Sequence, residues 1–174
     1  MTIWFRTIRL ARNLLALVIL APAAAVAVGA FGQRPRGLPP DGGTLARRYF
    51  EEVWNEGKVD VLDDLLSPDY LNHTPSTGHP PPGPGGLKPI VLAIRRAFPD
   101  LHYTIEDVLV TDDAVAIRTT MTGTHEGDLF GIPPTHRKIN VRQIQIERVR
   151  DGRIVEHWRV TDELTLMRQL GVVR

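Results

Sequence analysis

The stretch Arg148–Gly171, RVRDGRIVEHWRVTDELTLMRQLG, decides the fold. Asp151-Gly152 can supply the positive φ angles of a two-residue turn, and it separates IQIERVR from RIVEHWRV, two runs rich in β-branched residues. The pattern predicts an antiparallel hairpin. Strict alternation along the second strand puts Ile154, Glu156, Trp158, Val160 and Asp162 on one face, with Val155, His157, Arg159 and Thr161 on the other. Asp162 then stands at the strand's end beside Trp158 and Val160. A carboxylate held against such apolar walls loses hydration, its pKa rises, and it becomes a general base. Asp162 also precedes ELTLMRQLG, which has helical spacing, so the bland role of helix N-cap competes with the catalytic one.

Upstream of the hairpin the pattern changes from strands to helices. Lys138 to Val149, AVAIRTTMTGTHEG and LHYTIEDVLV read as strands, with Asp112-Asp113 as a turn, and together with the strand Arg153 to Thr161 they make four long antiparallel strands. LKPIVLAIRRAF has helical spacing from Leu87 to Phe98, and Pro89 is tolerated in its first turn. Thr44 to Gly57 forms an amphipathic helix with Thr44 as N-cap and Gly57 as stop, and Val59 to Leu66 a short second one. Asp69 to His73 is extended, and the Pro- and Gly-dense stretch from Thr74 to Gly86 is a surface loop. Helices followed by a strand meander define an α+β class, three helices covering one face of a curved antiparallel sheet, with a closing helix from Leu164 to Leu170.

The first 43 residues are organised differently. Arg6, Arg9 and Arg12 precede an uninterrupted apolar run from Leu14 to Phe31, the pattern of a secretory signal or of an uncleaved membrane anchor. In both cases the positive flank places the domain outside the membrane, in the periplasm or beyond, and any membrane contact is confined to residues 1–31. Residues 32–43, GQRPRGLPPDGG, form a linker, and the folded domain is expected over 44–174. From Asp41 onward there are 16 basic against 20 acidic side chains, a net of −4 with no basic cluster, which argues against a nucleic-acid partner. The chain has no cysteine, so thiol chemistry and disulfides are excluded. No phosphate-binding or dinucleotide fingerprint is present.

The order of elements, together with ARRYFEEVWNEGKVDVLDDLLSPDYLNH, AFPDLHYTIEDVLVTDDAVAIRTTMTGTHEG, GIPPT and DGRIVEHWRVTDELTLMRQLG, resembles the SnoaL-like polyketide cyclase or ester cyclase family of the nuclear-transport-factor-like superfamily. The resemblance covers nearly all of residues 44–171. It implies a cone of curved sheet, a cystatin-like α+β barrel, as a homodimer, and a cofactor-independent, metal-free acid/base cyclisation. Trp158 and Asp162 occupy the family's W-x-x-x-D pattern, which implies Asp162 as acid/base. Its Y-x-x-H pattern falls on Tyr70 and His73, and its G-T-H-x-G pattern on Gly123, Thr124, His125 and Gly127. Both histidines are accordingly expected near the pocket mouth, where either could meet a developing enolate oxygen. Residue 136 is His where relatives more often carry Gly, and the loop from Thr74 to Gly86 looks expanded.

Other side chains admit two roles each. Trp158 is a pocket wall or a core plug, and His157 is a surface or packing residue. Gln143 and Gln145 share a face with Glu147; if it is the inner face they are ligand contacts, since buried amides are costly without partners. His73, His79, His125 and His136 lack the spacing of a metal site. Two function classes therefore stand: a cofactor-free cyclase, isomerase or hydrolase acting on a small hydrophobic carbonyl compound or ester, and a noncatalytic module holding an apolar ligand or a partner.

Overall fold

The computed structural model describes residues 41–76 and 78–174. The targeting or anchor segment read at residues 1–31, and the linker up to residue 40, lie outside the described residues.

The first helix, α1 (Gly42–Arg48), has its N-cap three residues earlier than expected. Asp41, not Thr44, is its N-cap: the Asp41 carboxylate accepts from the Thr44 amide at 2.8 Å. Two glycines assigned to the linker are thus the helix's first residues, and the bulk of Val115 explains the choice, because a Cβ at Gly42 would lie 3.1 Å from its side chain. The helix continues as π-helical turns from Tyr49 to Asn55. This wider coil turns Tyr49, Phe50, Val53 and Trp54 inward together, where their rings make edge and tilted contacts with one another and with Tyr103 at 5.3–6.2 Å. Gly57, at φ +77°, ends it. A 3₁₀ turn (Val59–Val61) leads into the short α2 (Leu62–Leu65), which buries Leu62 and Leu65.

Strand β1 (Leu66–Asn72) follows, then α3 (Pro84–Ala97), which takes Pro84 at its first position and absorbs Pro89 without breaking. Then come β2 (His102–Val110), β3 (Ala114–Thr124), β4 (Lys138–Arg150), β5 (Arg153–Thr161) and α4 (Glu163–Leu170). The spatial order is β1-β5-β4-β3-β2. The four long strands pair antiparallel in sequence order, as the turn signals require. Asp151 and Gly152 take φ of 50° and 72° at the tip of the last hairpin.

Two parts of the expected architecture need correction. The sheet is not purely antiparallel, because β1 joins β5 in parallel, and it is not a closed barrel, because β1 and β2 are free edges. A five-residue extended segment after a proline carries too little alternation to reveal its partner. Among the described residues the fold is thus α+β, with an open, curved five-stranded sheet and four helices.

One face of the sheet is covered by helices and alternates strictly along β4, where Ile139, Val141, Gln143, Gln145 and Glu147 are buried. The core joins these to Val115, Ile117, Met121, Ile154, the helical residues Leu45, Val91 and Ile94, and Phe98 at the end of α3. Because β5 ends at Thr161, opposite Gln143, the β4 backbone beyond is open along one edge. Gln169 of α4 fills that gap: its side-chain oxygen accepts from the Asn140 amide at 2.7 Å, and its Nε2 donates to the Asn140 carbonyl at 3.0 Å. This pairing seats α4 over the end of the inner face.

Candidate active site

A β-bulge decides which side chains of β5 reach the inner face. Val149 pairs with Ile154 and Arg148 with Glu156, so Val155 is an extra residue and the alternation resets after Ile154. Beyond the bulge, His157, Arg159 and Thr161 face inward, opposite Glu147, Gln145 and Gln143 respectively. The strict alternation expected from Ile154 onward is therefore overturned. Trp158 and Val160 belong to the outer face, paired with Ile146 and Ile144, and Val160 is 74% exposed.

The inner face bounds a cavity of about 320 Å³ between the sheet, α3, the loop 125–137 and α4. Ile94, Phe98, Met121, Leu129, Leu166 and Met167 make its apolar lining. Its polar lining is Ser76, Tyr103, Gln143, Arg159, Thr161 and Glu163. A largely apolar hollow with a few convergent polar groups is the form of a small-molecule site.

Two donors in this wall are poorly occupied. The Tyr103 hydroxyl donates to Met121 Sδ at 3.2 Å, and Gln143 Nε2 approaches the same sulfur at 3.6 Å. A thioether is a weak acceptor, so a carbonyl oxygen entering the cavity would displace it at both donors. Burial raises the Tyr103 pKa to about 12, against the opposing field of Arg159, and keeps the phenol protonated as a donor. Its backbone is pinned by Asn55, whose Oδ1 accepts from the Tyr103 amide and whose Nδ2 donates to the Tyr103 carbonyl. Gln145 donates to Gln143 Oε1 at 3.0 Å, which orients the Gln143 amide with its Nε2 toward Met121 Sδ.

The residues singled out from sequence divide. Gln143 and Gln145 are buried on the inner face as that reading required; Gln143 lines the cavity and Gln145 braces it. Tyr70 is buried and its hydroxyl has no hydrogen-bond partner, although it does not line the cavity. Trp158 is no pocket wall, for it stacks at 4.5 Å on His73 on the outer side. His73 bonds Glu156 through Nε2 at 2.9 Å and is exposed, away from the cavity lining.

His125 is fully buried against Phe98 but also lies outside the lining. Its Nδ1 accepts from the Thr135 amide, and burial holds its pKa below the ordinary imidazole value. This fixes a neutral ring that ties the loop 125–137 together. The G-T-H-x-G pattern has a packing reason as well: a Cβ on Gly127 would run into the Arg96 carbonyl, and one on Gly123 would press on Phe98. His157, read as a surface or packing residue, is buried with Nδ1 2.8 Å from Glu147 Oε1. The His136 side chain bonds Glu126, while its amide donates to the His125 carbonyl at 2.9 Å.

Asp162 departs furthest from expectation. It is exposed, caps α4 through the Thr165 amide at 3.0 Å, and has its pKa lowered by that bonding, not raised by burial. A sheltered base at this position is ruled out; the neighbours on both sides, Thr161 and Glu163, do line the cavity, so the chain passes its rim here.

Fold and cavity together define an α+β small-molecule site of the nuclear-transport-factor-like type. Residues 44–170 match the family model described as SnoaL-like polyketide cyclase, and the chain belongs to that family. It is 30% identical over 121 residues to a nogalonic acid methyl ester cyclase of Streptomyces nogalater, covering 68% of this chain and 90% of the relative. An aklanonic acid methyl ester cyclase of Streptomyces peucetius is 31% identical over 134 residues, covering 73% and 88%. Among solved structures, TsrD from Streptomyces laurentii superposes with a TM-score of 0.68 at 30% identity, over 75% of this chain and 95% of that one. IdmH from Streptomyces antibioticus gives a TM-score of 0.64 at 35% identity, over 74% and 97%.

Proposed function

We propose that the chain is a cofactor-independent cyclase that closes a ring in a polyketide-like carbonyl compound or ester bound in the inner-face cavity. The observation that carries this reading is the pair of under-used donors, Tyr103 and Gln143, set in an apolar hollow of a chain whose curated relatives are named as ester cyclases. An aldol closure needs a base to remove a proton beside a carbonyl and donors to hold the oxygen on which charge develops. Tyr103 and Gln143 supply the donors. The base is a rim carboxylate, Asp162 by family resemblance or Glu163 by its place in the lining. The protonated form then returns the proton to the new alkoxide, so the cycle balances without a redox partner.

The experiment is direct incubation of the full chain with aklanonic acid methyl ester, nogalonic acid methyl ester and the two free acids, with ring closure followed by chromatography and mass. Closure of any one supports the reading. Absence of closure with all four, by protein that is folded, counts against it.

Two further readings accompany this one. The apolar outer strip of Ile144, Ile146, Trp158 and Val160 supports a homodimer through the outer sheet face, consistent with the family resemblance. The basic and then apolar pattern of residues 1–31 supports export of the domain. Amino-terminal sequencing of protein recovered from the host envelope tests the second.

A further inference from the structure

Arg159 is the cation of the cavity wall. Its backbone amide donates to Thr74 Oγ1 and its Nη2 donates to Ser76 Oγ, both at 2.7 Å, so the base of the Pro-rich loop is strapped to β5. Among the described residues no carboxylate forms an ion pair with it, although most other arginines with recorded side-chain bonds meet an acid or a backbone carbonyl. Glu163, the other charge on the lining, is not its partner, and the buried Glu147 is engaged by His157. A half-buried guanidinium answered only by a neutral, exposed hydroxyl is under-compensated. Its field is felt across the inner face, where it opposes the upward push of burial on the phenols of Tyr49, Tyr70 and Tyr103.

We propose that Arg159 is an anion subsite and that the cavity's ligand is an aromatic or polycyclic carboxylic acid in its free form. The carboxylate takes the guanidinium in place of Ser76 Oγ. The ring system lies against Phe98, Met121, Leu166 and Met167. Glu163 repels the acid group and so sets its orientation toward β5. This rests on the reading of the cavity as the substrate site and deepens it: relatives are named for methyl esters, whereas the charge here selects the unmasked acid.

The test compares anthracene-9-carboxylate with its methyl ester, titrated into the full chain, with the methyl resonances of Met121 and Met167 reporting occupancy of the cavity. The acid is expected to bind about ten- to a hundredfold more tightly than the ester, the range for hydrogen bonds to a charged group. Arg159→Gln should bring the two within about twofold by weakening the acid alone, and Ser76→Ala should leave the preference intact. Added salt should weaken the acid and not the ester in the unaltered protein, a readout that needs no variant to fold. Equal or preferential binding of the ester, with Met121 and Met167 shifting, overturns the anion subsite and leaves the cavity reading standing. Failure of both probes to shift those methyls overturns both readings.

Discussion

His157 Nδ1 lies 2.8 Å from Glu147 Oε1 across the β4–β5 ladder, and both side chains are almost completely buried. They occupy the inner face in line with Gln145 and Arg159, then Gln143 and Thr161, so three successive cross-strand pairs on this face are polar. Glu147 and His157 answer each other and Gln145 donates to Gln143, whereas the buried Thr161 hydroxyl has no partner.

Removal of one partner leaves the other buried and uncompensated. Glu147→Ala is expected to lower the free energy of unfolding by about 3 kcal/mol, the lower end for a broken buried pair, whereas Glu147→Gln, which keeps an acceptor, should cost clearly less. Urea denaturation of the three proteins measures the difference. Equal stabilities would show that the pair is not held as described.

The hairpin, the four long strands and the closing helix were legible because their signals are local: an Asp-Gly turn, β-branched alternation and a helical run after Asp162. Alternation within β4, which has no irregularity until Arg148, put Gln143, Gln145 and Glu147 on one face but did not say that this face is the inner one. What failed was the face of β5. One extra residue at Val155 inverts every later side chain, and no residue type there marks the bulge. Unbroken alternation from Ile154 puts Trp158 and Asp162 on the face of Ile154 and Arg159 on the opposite one, the reverse of the observed placement of Trp158 and Arg159. Tyr103 was missed because its role depends on Met121 and Gln143, neighbours across two other strand pairings. The parallel partner of β1 is equally a long-range fact.

Asp162 and Glu163 separate cap from catalyst. Asn caps as well as Asp, so Asp162→Asn should keep the melting temperature while Asp162→Ala lowers it. Because the capped carboxylate has its pKa lowered in the folded protein, its contribution is present above the ordinary carboxylate range and is lost as pH falls through the depressed value. If Asp162 is the rim base, Asp162→Asn reduces ring closure at least a hundredfold and Glu163→Gln does not, about the range for general-base removal. The reverse pattern assigns the base to Glu163, and full activity in both variants would exclude a rim carboxylate.

His125 gives the fold an acid sensitivity of its own. Its folded pKa lies below 6.5 because burial disfavours the charged ring, so the unfolded chain binds the proton more readily. The sign follows: the contribution is complete above the unfolded value and declines as pH falls from 6.5 toward the depressed folded value. Melting temperatures between pH 8 and pH 5 should fall in the unaltered protein and fall less steeply in His125→Gln. Parallel curves would contradict the assignment.

The outer strip predicts a self-association that one charge can break. Val160, paired with Ile144 on the exposed face, stands where Val160→Lys places an ammonium within the apolar strip. Light scattering should find the unaltered chain as a dimer and the variant as a monomer with unchanged circular dichroism. A unaltered chain that is monomeric at all concentrations would remove the dimer.

The central claim is that Tyr103 and Gln143 hold the oxygen of a carbonyl compound in the inner-face cavity. The most direct measurement is kcat/KM for ring closure of aklanonic acid or its methyl ester, whichever the full chain converts better, in the unaltered protein and in Tyr103→Phe. Loss of one oxyanion donor should lower kcat/KM by about a hundredfold, chiefly through kcat, with the melting temperature shifted by only a few degrees. An unchanged kcat/KM in folded Tyr103→Phe would contradict the account.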